Sequence, residues 1–181
     1  MYTEIEAKLK VDSLLEIEKR LERLNAEFVE EQYQSDTHFD DTDGTLLNAD
    51  SCLRLRCQKA NDTTKYFITF KGAKEQSDYK KRVEIETAVT DGESMEKLLI
   101  ALGYKKKMLI EKTRRLYKYG GCEVALDYLK LLGEFVEIEG PGEKEINEVQ
   151  KSLGLENVSH VPKSYAALIA EKMSGDEELD T

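Results

Sequence analysis

The chain has 181 residues and carries 27 Lys and Arg against 37 Asp and Glu, a net charge of -10. That length fits one domain with a single substantial core, and the acidity excludes a nucleic-acid partner held by bulk charge, because phosphate neutralisation needs a basic face. No apolar run approaches the roughly 20 residues of a membrane span, and the charged N-terminal stretch is unlike a signal peptide, so a cytoplasmic protein with no membrane partner is expected.

The first stretch, Tyr2 to Val11, alternates as a strand does, with Glu4, Glu6 and Lys8 on one face and Ile5, Ala7, Leu9 and Val11 on the other. Carboxylates two residues apart on a strand lie roughly 6 to 7 Å from one another, close enough to share a hard cation. Asp12 can cap a helix whose apolar positions are Leu14, Leu15, Ile17, Leu21, Leu24 and Phe28. Tyr33 to Asp40 reads as extended, and Asp41-Thr42-Asp43-Gly44 as a solvated turn; it lacks the rest of a calcium loop.

Further strands are expected at Cys52–Cys57, Lys65–Lys71, Lys80–Ala88, Leu109–Tyr117, Cys122–Tyr128 and Glu134–Glu139. A helix over Gly92–Leu102 stops at Gly103, a second runs from about Glu143 to Leu153, and a third starts after Pro162 and buries Tyr165, Leu168 and Ile169. The domain is read as residues 1–173, and the acidic tail 174–181 as disordered. Cys52, Cys57 and Cys122 lack zinc-like spacing and read as reduced structural thiols.

The polar strand faces are unusually rich in both signs: Glu4, Glu6, Lys8, Arg54, Arg56, Lys71, Arg82, Glu84, Glu86, Lys112, Arg114, Asp127, Glu137 and Glu139. Helices suited to covering the apolar faces imply an inverted α+β arrangement: an eight-stranded antiparallel β barrel or tunnel with helices outside and the charges lining its lumen. Confining so many charges costs several kcal/mol each unless they are paired or hydrated, which points to a polyanion and cations as ligands.

These residues resemble a known family. Glu4-Ile5-Glu6-Ala7-Lys8 is similar to the Glu-x-Glu-x-Lys signature of the CYTH superfamily, the triphosphate tunnel metalloenzymes. The likeness continues through Leu53-Arg54-Leu55-Arg56, Thr69-Phe70-Lys71-Gly72, Arg82 to Glu86, Glu111-Lys112-Thr113-Arg114, Asp127 and Gly133 to Glu139. It implies a tunnel that binds triphosphates with Mg2+ or Mn2+. By position, Glu4, Glu6, Asp127, Glu137 and Glu139 are the implied metal ligands. Lys8, Arg54, Arg56, Lys71, Arg82, Lys112 and Arg114 are the implied triphosphate contacts, and Glu4, Glu6, Lys8, Lys71 and Arg114 the implied catalytic residues. Glu84 and Glu86 are expected to orient the basic groups. Removing Arg56 or Arg114 is expected to relieve like-charge repulsion in the empty tunnel.

Within the family, Ile110 to Arg114, Gly133 to Glu139 and Lys163-Ser164-Tyr165 most resemble class IV adenylyl cyclases of the CyaB type. That likeness implies conversion of ATP to cyclic AMP and pyrophosphate. The alternative is hydrolysis of tripolyphosphate, thiamine triphosphate or a nucleoside triphosphate, although the chain has no Trp to stack on a thiamine. A third reading is a polyphosphate- or nucleotide-binding module without turnover. A homodimer is left open.

Overall fold

In the computed structural model, which describes residues 2–75 and 79–177, the alternating stretches become eight strands. They are β1 (Tyr2–Val11), β2 (Glu27–Asp40), β3 (Cys52–Ala60), β4 (Thr63–Lys71), β5 (Lys80–Val89), β6 (Lys105–Tyr119), β7 (Cys122–Leu129) and β8 (Gly133–Glu139). The helices are α1 (Leu14–Arg23), α2 (Thr45–Asn48), α3 (Gly92–Ala101), α4 (Glu143–Ser152) and α5 (Tyr165–Glu177). Every strand pairs antiparallel with both neighbours in the order β1-β5-β4-β3-β2-β6-β7-β8, which closes a barrel and leaves no unpaired edge.

The main apolar core lies between the barrel wall and the helices. Ala7 and Leu9 of β1, Val124 and Leu126 of β7, and Val136 and Ile138 of β8 pack against Leu14, Ile17 and Leu21 of α1, Ile146 and Val149 of α4, and Leu153 at the end of α4. Leu9, Leu21, Val136, Ile138, Ile146 and Leu153 are wholly excluded from solvent, and each such side chain contributes about 1.5–3 kcal/mol by leaving water. A second cluster seats Leu99 of α3 on Phe39 and Leu55. A third joins Ile110, Leu129 and Phe135 to Tyr165 and Ile169 of α5. The apolar faces of the first cluster are therefore committed outward and the polar faces of the same strands inward, where Ile110 and Phe135 join them beneath α5.

Several boundaries differ from the sequence expectation. Ser13, not Asp12, caps α1, its Oγ accepting from the Glu16 amide. The helix ends at Arg23 because Asn25 turns left-handed (φ 53°), letting the Asn25 and Ala26 amides donate to Glu22 O and Leu21 O. Phe28 therefore belongs to β2, which starts six residues before Tyr33 and pairs along β6 past a bulge between Phe28 and Glu30. The acidic turn is a cap: Asp40 accepts from the Leu46 and Leu47 amides and Asp41 from that of Thr45, which creates the short α2.

Ser164 starts α5, its Oγ accepting from the Ala167 amide. That helix continues to Glu177, past the expected limit at residue 173, and Ser174 Oγ donates to Ala170 O within it. Residues 178–181 of the expected tail lie outside the described residues. Leu168, expected to be buried, is half-buried. Among the described residues no helix is long and apolar enough to cross a membrane.

Candidate active site in the barrel lumen

Residues directly opposed on neighbouring strands share a face, so the register of the barrel decides which charges meet. It sets Asp36 opposite Arg56, Glu4 opposite Arg82, Glu6 opposite Lys80, Lys71 opposite Glu84, Thr69 opposite Glu86, Lys8 opposite Glu137, and Arg114 opposite Asp127. The lumen holds a cavity of about 610 Å³. Nearly all of these polar side chains line it, together with His38, Met108, Ile110 and the α5 residues Tyr165, Ala166, Ala167 and Ala170.

One half of the lumen is a wall of pinned cations. Arg56 grips Asp36 with two hydrogen bonds of 2.7 Å, and Arg54 lies 3.6 Å from the same carboxylate while donating to Thr69 Oγ1 at 3.1 Å. Thr69 in turn donates to Glu86 at 2.7 Å. Arg114 holds both oxygens of Asp127, at 2.7 and 2.6 Å, and also bonds Glu137. Lys112 and the Tyr165 hydroxyl add bonds of 2.8 and 2.9 Å to Asp127 Oδ2, and Asp127 has no exposure to solvent. Lys8 pairs with Glu137 at 3.1 Å and lies 3.7 Å above the Tyr165 ring.

Burial would raise the carboxyl pKa of Asp36, Asp127 and Glu137, but the adjacent cations outweigh it and hold all three below the usual carboxylate range. Burial lowers Lys112 to about 8, aided by Arg114. It lowers Lys8 to about 8 as well, against Glu137 and with help from Lys80. His38 falls to about 4, through burial and then Arg54, and its Nδ1 lies 3.3 Å from Cys52 Sγ.

The other half is an excess of carboxylates held by lysines. Lys71 Nζ donates to both oxygens of Glu4, at 2.6 and 2.8 Å, and is 2.6 Å from Glu84 Oε2, an ion pair without hydrogen-bond alignment. Lys80 donates to Glu6 at 2.8 Å. Arg82 Nε stands 3.5 Å from Glu4 and, like Arg54 Nε, is buried with no hydrogen-bond partner. Glu139 sits opposite Glu6 on β1 and opposite Glu123 on β7, with carboxylates on both sides. Burial first, then Glu4 and Glu6, push its carboxyl up to about 8.

The structure thus divides the five implied metal ligands. Glu4, Glu6 and Glu139 gather at the lysine-held end, whereas Asp127 and Glu137 are engaged by Lys8, Lys112, Arg114 and Tyr165. Among the described residues, no three carboxylate, His or Cys groups form a ready-made metal shell. All seven implied triphosphate contacts reach the lumen, and Glu84 and Glu86 pair with basic groups as expected. The expected relief on removing Arg56 or Arg114 is corrected. Each donates two hydrogen bonds to a buried carboxylate, so its loss removes that anion's main partner, and destabilisation of the free protein is the expected outcome. Sequence reasoning misses Asp36 and Lys80, although Asp36 alternates with Gln34 and His38, and Lys80 with Arg82 and Glu84. Tyr165 reads from the sequence as core and as part of the Lys163-Ser164-Tyr165 likeness, not as a lumen group.

A family profile described as CYTH domain matches residues 2–165. A Methanocaldococcus jannaschii protein provisionally named an adenylate cyclase is 32% identical over 174 residues, covering 91% of this chain and 97% of its own length. The adenylate cyclase CyaB of Aeromonas hydrophila is 24% identical, with 97% and 93% covered. Among solved structures, the PH1819 protein of Pyrococcus horikoshii superposes with a TM-score of 0.81 at 29% identity, covering 94% of this chain and 99% of that one. A Hippeastrum protein provisionally called an adenylyl cyclase, and described as having a dominant triphosphatase activity, shares the fold with a TM-score of 0.74 at 17% identity over 93% and 95%. With the profile spanning the whole barrel and on to Tyr165, the chain belongs to the CYTH domain family.

Proposed function

We propose that this protein is a metal-dependent enzyme acting on a nucleoside triphosphate, and that its reaction is the cyclisation of ATP to cyclic AMP and pyrophosphate. The observation that carries the reading is the split lumen. A wall of buried cations faces a carboxylate cluster in which Glu139 has no cation opposite it, and two buried guanidinium nitrogens, of Arg54 and Arg82, lack hydrogen-bond partners. Buried donors without acceptors ask for an anion, and a carboxylate with only carboxylates opposite it, beside two held by lysines, asks for a hard cation. Mg2+ or Mn2+ fits that donor set; Glu4, Glu6 and Glu139 would hold it, and when bound it would polarise phosphoryl oxygens.

The remaining work falls to the chain's own residues. Arg54, Arg56, Lys112 and Arg114 would take the phosphate oxygens through charge-assisted bonds, pre-positioned by Asp36, Asp127 and Glu137. Such fixed dipoles and charges need no reorganisation as negative charge moves toward the leaving pyrophosphate. Met108, Ile110, Ala166, Ala167 and Ala170 supply an apolar stretch of lining beside these charges, suited to an organic moiety. In the cyclisation the ribose 3′-oxygen bonds the α-phosphorus, the bond to the β-phosphate oxygen breaks, and the hydroxyl proton leaves. Lys8, which burial lowers to about 8, is suited in its neutral amine form to take that proton.

The names of the archaeal and Aeromonas relatives favour cyclisation. Hydrolysis of the terminal phosphate is the second reading, favoured by the activity described for the Hippeastrum protein. The test is to incubate the protein with ATP, tripolyphosphate and thiamine triphosphate, each with Mg2+ or Mn2+, and identify the products. Cyclic AMP with equimolar pyrophosphate is expected from ATP. Orthophosphate without cyclic AMP would move the assignment to the triphosphatase, and no product from any substrate would leave a binding module.

A further inference from the structure

The two halves of the lumen hold their ion pairs by different chemistry. In the wall, planar guanidinium forks take carboxylates with two bonds each, and Asp127 receives four hydrogen bonds from three residues. At the other end, single ammonium groups on flexible four-carbon stems make the close contacts, Lys71 on Glu4 and Glu84 and Lys80 on Glu6, while Arg82 Nε stands 3.5 Å from Glu4 without a hydrogen bond. An ammonium group is a point charge whose donors rotate, so it can change partners without losing a matched geometry.

Those two lysines sit on the very carboxylates that the metal reading needs, and the cluster contains no ready-made metal shell among the described residues. Resting on that reading, we infer that Lys71 and Lys80 are tethered counter-ions. They occupy Glu4 and Glu6 until a triphosphate draws their ammonium groups onto phosphate oxygens, and the divalent cation then binds the released carboxylates. Charge is conserved in the exchange, because each lysine leaves one anion for another and the incoming cation replaces it. The empty lumen is thereby stable without metal, and metal and triphosphate bind cooperatively. By linkage the cooperativity is reciprocal, each ligand tightening the other by the same factor. Both lysines are deeply buried, 9% and 6% exposed, so bulk water is a poor substitute partner for either.

The test uses Mn2+ binding, read by electron paramagnetic resonance on the full chain, with no turnover required. Wild type is titrated alone and again in saturating imido-bridged tripolyphosphate, with Mn2+ held by the free analogue subtracted from a protein-free control. The expected result is weak binding alone and at least about tenfold tighter binding with the analogue. Lys80→Gln and, separately, Lys71→Gln should bind Mn2+ about tenfold more tightly than wild type without the analogue and lose most of the coupling. Wild-type affinity that does not change with the analogue overturns the inference while leaving the metal reading intact, and this arm needs no variant to fold. Folded variants that bind Mn2+ no better than wild type overturn it too. No Mn2+ bound to any form in either condition overturns the metal reading, and the inference with it.

Discussion

The arginine wall and the lysine-held carboxylates line the same barrel, yet they differ in how completely their charges are satisfied. In the wall every carboxylate meets more than one cation or donor, and Asp36, Asp127 and Glu137 are all kept ionised. At the other end Glu139 meets carboxylates on both flanking strands and is driven toward its protonated form. On the proposed reading, the wall is the scaffold for an anion and the carboxylate end the place for a cation. Register, not local sequence, makes the difference: a shift of one strand by two residues would exchange the partners of every pair that strand makes.

The largest effect is expected where the wall is most satisfied. Asp127→Ala strands Lys112, Arg114 and the Tyr165 hydroxyl around a buried gap, and should destabilise the protein by about 3–5 kcal/mol, read from urea melts. A loss under about 1 kcal/mol would mean that the wall is no more than a set of surface-like pairs. At the carboxylate end, Glu4→Gln or Glu6→Gln should keep the fold and lower turnover by about 10²-fold or more, as loss of a metal ligand implies. Near-normal rates in both variants would move the metal elsewhere.

The next effect has the opposite sign in the two regions and depends on pH. Folded Glu139 keeps its proton up to about pH 8, whereas in the unfolded chain it ionises above an ordinary carboxyl pKa. Its contribution is therefore fully present at low pH, is lost as pH rises toward 8, and stays lost above. Glu139→Gln should make the ligand-free protein more stable than wild type by roughly 1–3 kcal/mol at pH 9, and by little at pH 4.5. Denaturant melts at the two pH values check this; a variant less stable at pH 9 would erase the contrast. The smallest effect belongs to Tyr165→Phe, which removes one bond to Asp127 and keeps the ring beneath Lys8. It should cost about 1 kcal/mol of stability, and a neutral result would show that Arg114 and Lys112 already saturate Asp127.

Much of the site is legible in the sequence, because period-2 alternation is a local property. Glu4, Glu6 and Lys8 on β1, Arg54 and Arg56 on β3, and Glu137 and Glu139 on β8 follow from alternation alone, and the inward turn of those faces follows from the helices that must cover the others. Pairing is not a local property, and it stays hidden. Nothing near Asp127 says that it faces Arg114 rather than a metal, and nothing near Arg56 says that Asp36 stands opposite, so by sequence the wall is bare positive charge. Local differences have local causes. Phe28 continues the helical spacing of Leu21 and Leu24, but Asn25 in the left-handed region ends α1 first. Asp40 and Asp41 look like a solvated turn until the amides of α2 are counted against them.

The central claim is that the lumen is a triphosphate site with an anion wall and a cation end. A crystal structure with Mn2+ and an imido-bridged triphosphate tests it most directly. The phosphates should lie against Arg54, Arg56, Lys112 and Arg114, and the metal on Glu4, Glu6 and Glu139, with Asp127 still bound to Arg114. Phosphates outside the barrel, or a metal coordinated by Asp127 and Glu137, would contradict it.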